Sequence, residues 1–217
     1  MTDPGAVEAL RSSAVAAAIR RERLIVVLRR VAPQERLIAL VHELADAGVR
    51  VFEVTFDAPT AADDLVASRT ALRDRTAAGI LLGAGTIRSM DSLNAAIEAG
   101  ADFGVSPILD TQVMDAALGR RLPFIPGAFS PTEIDAAWRA GATFVKLFPA
   151  SSVGPGHVRE LRGPLADVEL IPTGGIEGET AAAYLGAGAV AVGIGGAIVN
   201  ATPADRAAII AAIRAVT

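Results

Sequence analysis

The sequence predicts an α/β protein: a closed (β/α)8 barrel of the TIM type, preceded by an extra N-terminal helix. Three observations point there. Short apolar runs alternate with helix-period segments along the chain, a glycine-centred tag recurs where helices give way to strands, and no Gly/Ser/Pro-rich linker divides the sequence.

The apolar runs are Leu24–Leu28, Val49–Phe56, Gly79–Ala84, Ala101–Ser106, Pro123–Gly127, Ala142–Phe148, Val168–Pro172 and Ala189–Ile194. Most are the near-continuous, β-rich kind expected of parallel strands buried on both faces. Between them, Gln34–Ala47 places Leu37, Leu40, Val41 and Leu44 on one helical face. Ser89–Ala99, Asp110–Gly119, Thr132–Ala140 and Gly178–Leu185 follow the same pattern, and Pro203–Val216 closes the chain. The tag reads DAGVRVFEV, EAGADFGVS, RAGATFVKL and GAGAVAVGI. Its glycine suits the left-handed residue that ends a helix. Repeated βα units in 217 residues fit one barrel domain slightly smaller than the usual ~250 residues. Within it, 1–23 is the N-terminal helix, 24–200 the barrel and 203–217 the C-terminal helix. An open doubly wound sheet is the runner-up, but no GxGxxG follows the first strand.

Composition excludes several function classes. Hydrophobic residues make up 52% and charged residues 20%, as in globular chains, and a net charge of -4 with scattered arginines leaves no nucleic-acid footprint. Without cysteine there is neither a disulfide nor a thiolate metal site. His42 and His157 stand apart with no ligand spacing, so no metal is expected, and His42 reads as a helix-face histidine. No cofactor is expected either. The best apolar stretch near the N-terminus, Ala14–Ile19, is too short for a signal-peptide core or a membrane span. A cytoplasmic protein without membrane partners is the expectation.

In a barrel the site lies at the C-terminal ends of the strands. The polar residues to weigh there are Arg29, Glu53, Thr55, Thr86, Ser106, Lys146 and Thr173. Lys146 is the only lysine and sits in an otherwise apolar strand, where alternation puts Phe144, Lys146 and Phe148 on one face. Burial lowers a lysine's pKa, and the neutral amine is the nucleophile that a carbonyl needs; arginine stays protonated. A capping ion pair without chemistry is the structural alternative. Glu53 shares a face with Val51 and Thr55; it reads as a proton shuttle or as a plain ion-pair partner of Lys146. Gly174-Gly175 and Gly195-Gly196 follow strands seven and eight, where bare backbone N–H groups of barrels often bind phosphate. Gly83-Ala-Gly-Thr86 ends strand three in the same manner. Thr86 and Thr173 either hydrogen-bond a substrate or cap the helices that follow.

The set EVT (53–55), GAGT (83–86), SP (106–107), IPG (125–127), KLFPAS (146–151), PTGGI (172–176) and GIGG (193–196) resembles the 2-keto-3-deoxy-6-phosphogluconate aldolases. That family includes the 4-hydroxy-2-oxoglutarate and 2-keto-3-deoxy-6-phosphogalactonate aldolases. The resemblance runs from about residue 24 to residue 200. It implies a homotrimeric, metal-independent class I aldolase acting on a small-molecule 2-keto acid. Lys146 would form the imine with C2, and Glu53 would take the C4 hydroxyl proton and then protonate the pyruvate enamine. Thr86, Pro107, Phe148 and Thr173 would surround the keto acid, and Gly174, Gly175, Gly195 and Gly196 the phosphate.

Two positions depart from the gluconate-type pattern. An arginine expected in EVTLRT is missing from Glu53–Thr60, where Asp57 would repel an anion, and Ala197 stands where those members carry serine. Arg29, in VVLRR, resembles the arginine of the galactonate-type LRG segment and is the expected replacement; Arg30 is the other candidate. Competing readings are a non-catalytic barrel that binds a sugar phosphate, and a cofactor-free isomerase with Glu53 as base.

Overall fold

The apolar runs become parallel strands. In the computed structural model of the chain, which describes residues 3–74 and 79–216, the strands are β1 (Leu24–Leu28), β2 (Val51–Thr55), β3 (Leu81–Gly85), β4 (Gly104–Val105) and β5 (Phe124–Ile125), followed by β6 (Gly127–Ala128), β7 (Val145–Leu147), β8 (Leu170–Pro172) and β9 (Val192–Ile194). The fifth run is thus two strands rather than one. It breaks at Pro126, which has no N–H to give the ladder. Six strands pair in the order β5-β4-β3-β2-β1-β9, and three in the order β6-β7-β8. A bridge between Thr173 and Gly193 reaches from the end of β8 to β9. The strands therefore form a curled arrangement of two parallel sheets.

Both faces of these sheets are buried, which is why the runs are apolar without alternation. Ile25, Val51, Phe103, Val105, Ile125, Phe144 and Ile171 fill an inner core. Val26, Leu28, Phe52, Val54, Val145, Leu147 and Leu170 face outward under the helices. Those helices are α1 (Pro4–Arg11), α2 (Ala14–Glu22), α3 (Gln34–Asp46), α4 (Ala61–Ala71), α5 (Met90–Glu98) and α6 (Thr111–Gly119), then α7 (Pro131–Arg139), α8 (Gly154–Leu161), α9 (Gly178–Gly186), α10 (Gly196–Val199) and α11 (Pro203–Arg214). On α3, Leu37, Leu40, Val41 and Leu44 are all buried, as the spacing predicts, each contributing about 1.5–3 kcal/mol relative to exposure. His42 lies half-buried on the same helix.

The recurrent tag has the geometry read from it. Gly48, Gly100, Gly141 and Gly188 all have positive φ, between 82° and 105°. Helix starts are equally local. Asp3, Ser13, Ser89, Asp110, Ser130 and Thr202 each accept a first-turn backbone N–H through a side-chain oxygen.

The N-terminal segment is two helices, not the one expected over 1–23, because Ser12 and Ser13 end α1 and cap α2. Met1, Thr2 and Thr217, which the expected terminal helices included, lie outside the described residues. Ala16 and Ile19 of α2 join the inner core and close its N-terminal end. Arg20 holds α2 there: its Nε donates to Glu169 Oε1 at 2.7 Å, and its guanidinium lies 5.0 Å from the Phe144 ring. Among the described residues no helix is long and apolar enough to cross a membrane.

Candidate active site

A cleft of about 1210 Å³ opens at the C-terminal ends of the strands. Of the expected site residues, Arg29, Thr86, Pro107, Lys146, Phe148, Thr173, Gly174, Gly175, Gly195 and Gly196 all line it. Glu53 does not line it: the side chain is 2% exposed, packed against Gly85 and within electrostatic reach of Lys146.

Lys146 is central in β7, paired with Gly127 of β6 and Ile171 of β8, and only 3% exposed. Its neighbours Val145 and Leu147 point outward, so alternation turns its amine inward with Phe148, whose ring centroid lies 5.2 Å from Nζ. Burial pushes the amine below the ordinary lysine pKa of 10.5; Glu53 opposes that push and Arg29 adds to it. The result favours the neutral, nucleophilic form.

Glu53 is the second buried polar group. Its Oε1 has no hydrogen-bond partner in the protein, and among the described residues no ion pair of 4 Å or less joins it to Lys146. A closed structural ion pair is therefore not what holds these residues. A buried carboxylate oxygen left without any hydrogen bond costs about 1–3 kcal/mol or more, so Oε1 is available to a water, an ion or a substrate group.

The glycines of the GAGT segment are required by packing inside the sheet. A Cβ on Gly83 would stand 2.3 Å from the Phe103 ring, and one on Gly85 would stand 1.9 Å from Glu53 Oε1. These glycines make room for an inner-core aromatic and for the buried carboxylate. Thr86 follows in the left-handed region at φ 58°, which costs a non-glycine residue about 1–3 kcal/mol. Neither threonine caps a helix: Ser89 caps α5, and Glu177 precedes α9. Thr86 Oγ1 instead lies 3.4 Å from Arg29 Nη2, and Thr173 Oγ1 donates to the Ile171 carbonyl at 3.3 Å.

Arg29 follows Ile25 and Val27 on the inward face of β1, and it is Arg29 rather than Arg30 that lines the cleft. Asp57 does not confront the cleft as an isolated anion. It pairs with both arginines, Oδ2 lying 2.8 Å from Arg29 Nη1 and 3.2 Å from Arg30 Nε.

After β8, two strands along from β1, Gly174 and Gly175 have φ of 93° and 67°. The buried Tyr184 donates its hydroxyl to the Ala150 carbonyl at 2.8 Å, fixing the turn after KLFP against which these glycines pack. A Cβ on Gly196 would meet nothing closer than 3.7 Å, so the space there belongs to the cleft. Sequence reasoning missed Arg88, Ile108, Glu177, Glu179 and Asp205, which also line the cleft. Among the described residues no cluster of three or more His, Asp or Glu could hold a metal ion.

Fold and site together define a parallel-sheet α/β protein whose cleft, at the strands' C-terminal ends, is lined by a buried amine with a buried carboxylate close by. A family model described as KDPG and KHG aldolase matches residues 15–213, and the chain belongs to that family. It is similar to the 2-dehydro-3-deoxy-phosphogluconate aldolase of Treponema pallidum, at 38% identity over 171 residues covering 77% of this chain and 78% of the relative. Against the 2-dehydro-3-deoxy-6-phosphogalactonate aldolase of Escherichia coli, identity is 31% over 173 residues, 79% of this chain and 82% of the other. Among solved structures, KDPG aldolase from Legionella pneumophila "with pyruvate captured at low pH as a covalent carbinolamine intermediate" aligns with a TM-score of 0.79 at 26% identity. The alignment covers 94% of this chain and 98% of that one.

Proposed function

We propose that this protein is a class I aldolase. It cleaves a 2-keto-3-deoxy sugar acid, 6-phosphorylated and of gluconate or galactonate type, to pyruvate and an aldehyde such as glyceraldehyde 3-phosphate. The observation that carries this reading is the chain's one lysine, buried at the floor of the cleft and held towards its neutral form, beside a carboxylate with an unpartnered oxygen. The relative with a covalent pyruvate carbinolamine supports the same chemistry.

In this mechanism the Lys146 amine adds to the C2 carbonyl, and loss of water gives the imine. Glu53 accepts the C4 hydroxyl proton as the C3–C4 bond breaks, so the aldehyde leaves and the bond electrons remain in an enamine. Glu53 then returns the proton to C3, and hydrolysis of the imine frees pyruvate and Lys146. Arg29 and Thr86 hold the carboxylate, Pro107, Phe148 and Thr173 flank the keto acid, and the glycine pairs take the phosphate through backbone N–H groups. No cofactor and no metal takes part in this scheme.

The reading also takes the curled strands as a closed eight-stranded barrel forming a single domain, with the Thr173–Gly193 bridge as the seam. It takes the protein as a cytoplasmic homotrimer; exposed Val66 and Phe129 offer apolar surface for contacts between copies. A panel of 2-keto-3-deoxy acids, with and without a 6-phosphate, coupled to pyruvate detection tests the activity. Pyruvate release from the phosphorylated members is expected. Release from none of the panel would remove the proposal.

A further inference from the structure

Asp57 occupies the position from which a carboxylate should repel an anionic substrate, yet both of its oxygens are engaged. Oδ1 accepts from Thr55 Oγ1 at 2.7 Å. Oδ2 accepts from Arg29 Nη1 at 2.8 Å and lies 3.2 Å from Arg30 Nε. Arg30 Nη2 also donates to the Asp57 backbone carbonyl at 3.1 Å, from a left-handed backbone at φ 48°. Thr55 is fixed in turn, 2% exposed at the end of β2, with its hydroxyl within 3.4 Å of the Leu28 carbonyl at the end of β1. Burial alone would raise the Asp57 carboxyl; the Thr55 hydroxyl and the two guanidiniums outweigh it and hold the group ionised, below the ordinary range.

Two cations around one carboxylate leave the cluster positive. They also solve a mechanical problem. The Arg29 side chain is 49% exposed on one edge of the cleft, and a long guanidinium there has many rotamers available. Asp57 takes Nη1, and Nη2 is left on the side of Thr86, 3.4 Å from its hydroxyl.

We propose that Asp57 is a positioning residue: it clamps Arg29 so that the Thr86-facing edge of its guanidinium, together with Thr86, receives the carboxylate of the 2-keto acid. This rests on the reading of Arg29 as the carboxylate's partner. The chain thereby replaces a missing cation with an anion that aims another cation.

The sign of one measurement separates this role from simple repulsion. If Asp57 merely repels the substrate, removing its charge lowers KM. If it positions Arg29, removing it raises KM. The experiment compares Asp57→Ala, Asp57→Asn, Arg29→Ala and the Asp57→Ala/Arg29→Ala double variant, measuring KM and kcat for cleavage and melting temperature for each. Asp57→Ala should raise KM on the order of tenfold, the scale of one charge-assisted contact, with kcat little changed. Asp57→Asn, which keeps an acceptor of the same shape, should recover part of that loss. In the Arg29→Ala background, Asp57→Ala should add nothing.

An unchanged or lowered KM in both Asp57 variants, with Arg29→Ala raising it, would overturn the inference and leave the Arg29 reading standing. Additive losses in the double variant would overturn it as well, since Asp57 would then act apart from Arg29. An Arg29→Ala enzyme with normal KM would remove the underlying reading itself. Should Asp57→Ala fail to fold, Asp57→Asn carries the same comparison.

Discussion

Glu53 is the residue whose surroundings are hardest to explain by stability alone. A carboxylate 2% exposed, with one oxygen unpartnered, lowers stability and persists where the unmade bond has a use. Glu53→Gln keeps the shape and removes the proton acceptor. It should still form the imine with pyruvate, while exchange of pyruvate's methyl protons with deuterated water falls by roughly 10² or more. Near-normal exchange would take Glu53 out of the role. Gly85→Ala tests the same group indirectly, because its Cβ would lie 1.9 Å from Oε1 and force the carboxylate aside. Cleavage should drop with imine formation retained; unchanged cleavage would mean that the position of the carboxylate is not critical. Lys146, Glu53 and Arg29 were legible in the sequence because each is a polar residue in, or one step beyond, an apolar strand. Asp57 was not, since its effect depends on how far two arginines reach across β1 and β2. Arg88 was not, since one arginine in a loop looks like any other.

At the scale of elements, the glycine pairs after β8 and β9 do different work. Gly175 has φ 67°, and a Cβ there would press to 2.5 Å on the Ser151 hydroxyl, so Gly175→Ala should cost stability as well as activity. Gly196 has no such neighbour and lies in a helical turn, where alanine is accommodated. Gly196→Ala should therefore leave the melting temperature within a degree or two of the parent. It should raise KM for 6-phosphorylated substrates on the order of tenfold, the scale of a lost charge-assisted hydrogen bond. Equal KM values in parent and variant would place the phosphate elsewhere. Strand runs and tag glycines were readable because they rest on local rules: β-rich apolar runs, and a left-handed residue at a helix end. Helices α4 and α8 escaped detection. The Ala61–Ala71 stretch has no continuous apolar stripe, with only Ala61, Leu65 and Ser68 buried, and α8 opens on Gly-Pro-Gly, which reads as a turn. The break at Pro126 was equally hidden, because an apolar run does not reveal where its ladder changes sheets.

For the whole molecule, the arrangement of strands turns scattered residues into one site. Arg29, Thr86, Lys146 and Thr173 come from or just follow four different strands and meet in the cleft at the strands' C-terminal ends, with Glu53 of β2 buried close by, because the paired strands run parallel. The inner core of Phe103, Phe144 and their neighbours lies between that end and α2, and it supplies the low-dielectric floor that pushes the Lys146 amine down. Imine formation needs the neutral amine. Its pH dependence, read by cyanoborohydride trapping with pyruvate, should rise with pH around a midpoint below 10.5, the ordinary lysine value. A midpoint at or above that value would mean that burial does not tune the nucleophile.

Lys146 is the nucleophile on which every later step of the scheme depends, and one measurement reaches it directly. The protein is incubated with pyruvate and borohydride, its intact mass is taken, and the modified peptide is sequenced. Inactivation is expected, with one reduced pyruvate adduct per chain, carried on Lys146, the only lysine in the sequence. An unmodified chain, or an adduct at the N-terminal amine alone, would contradict it.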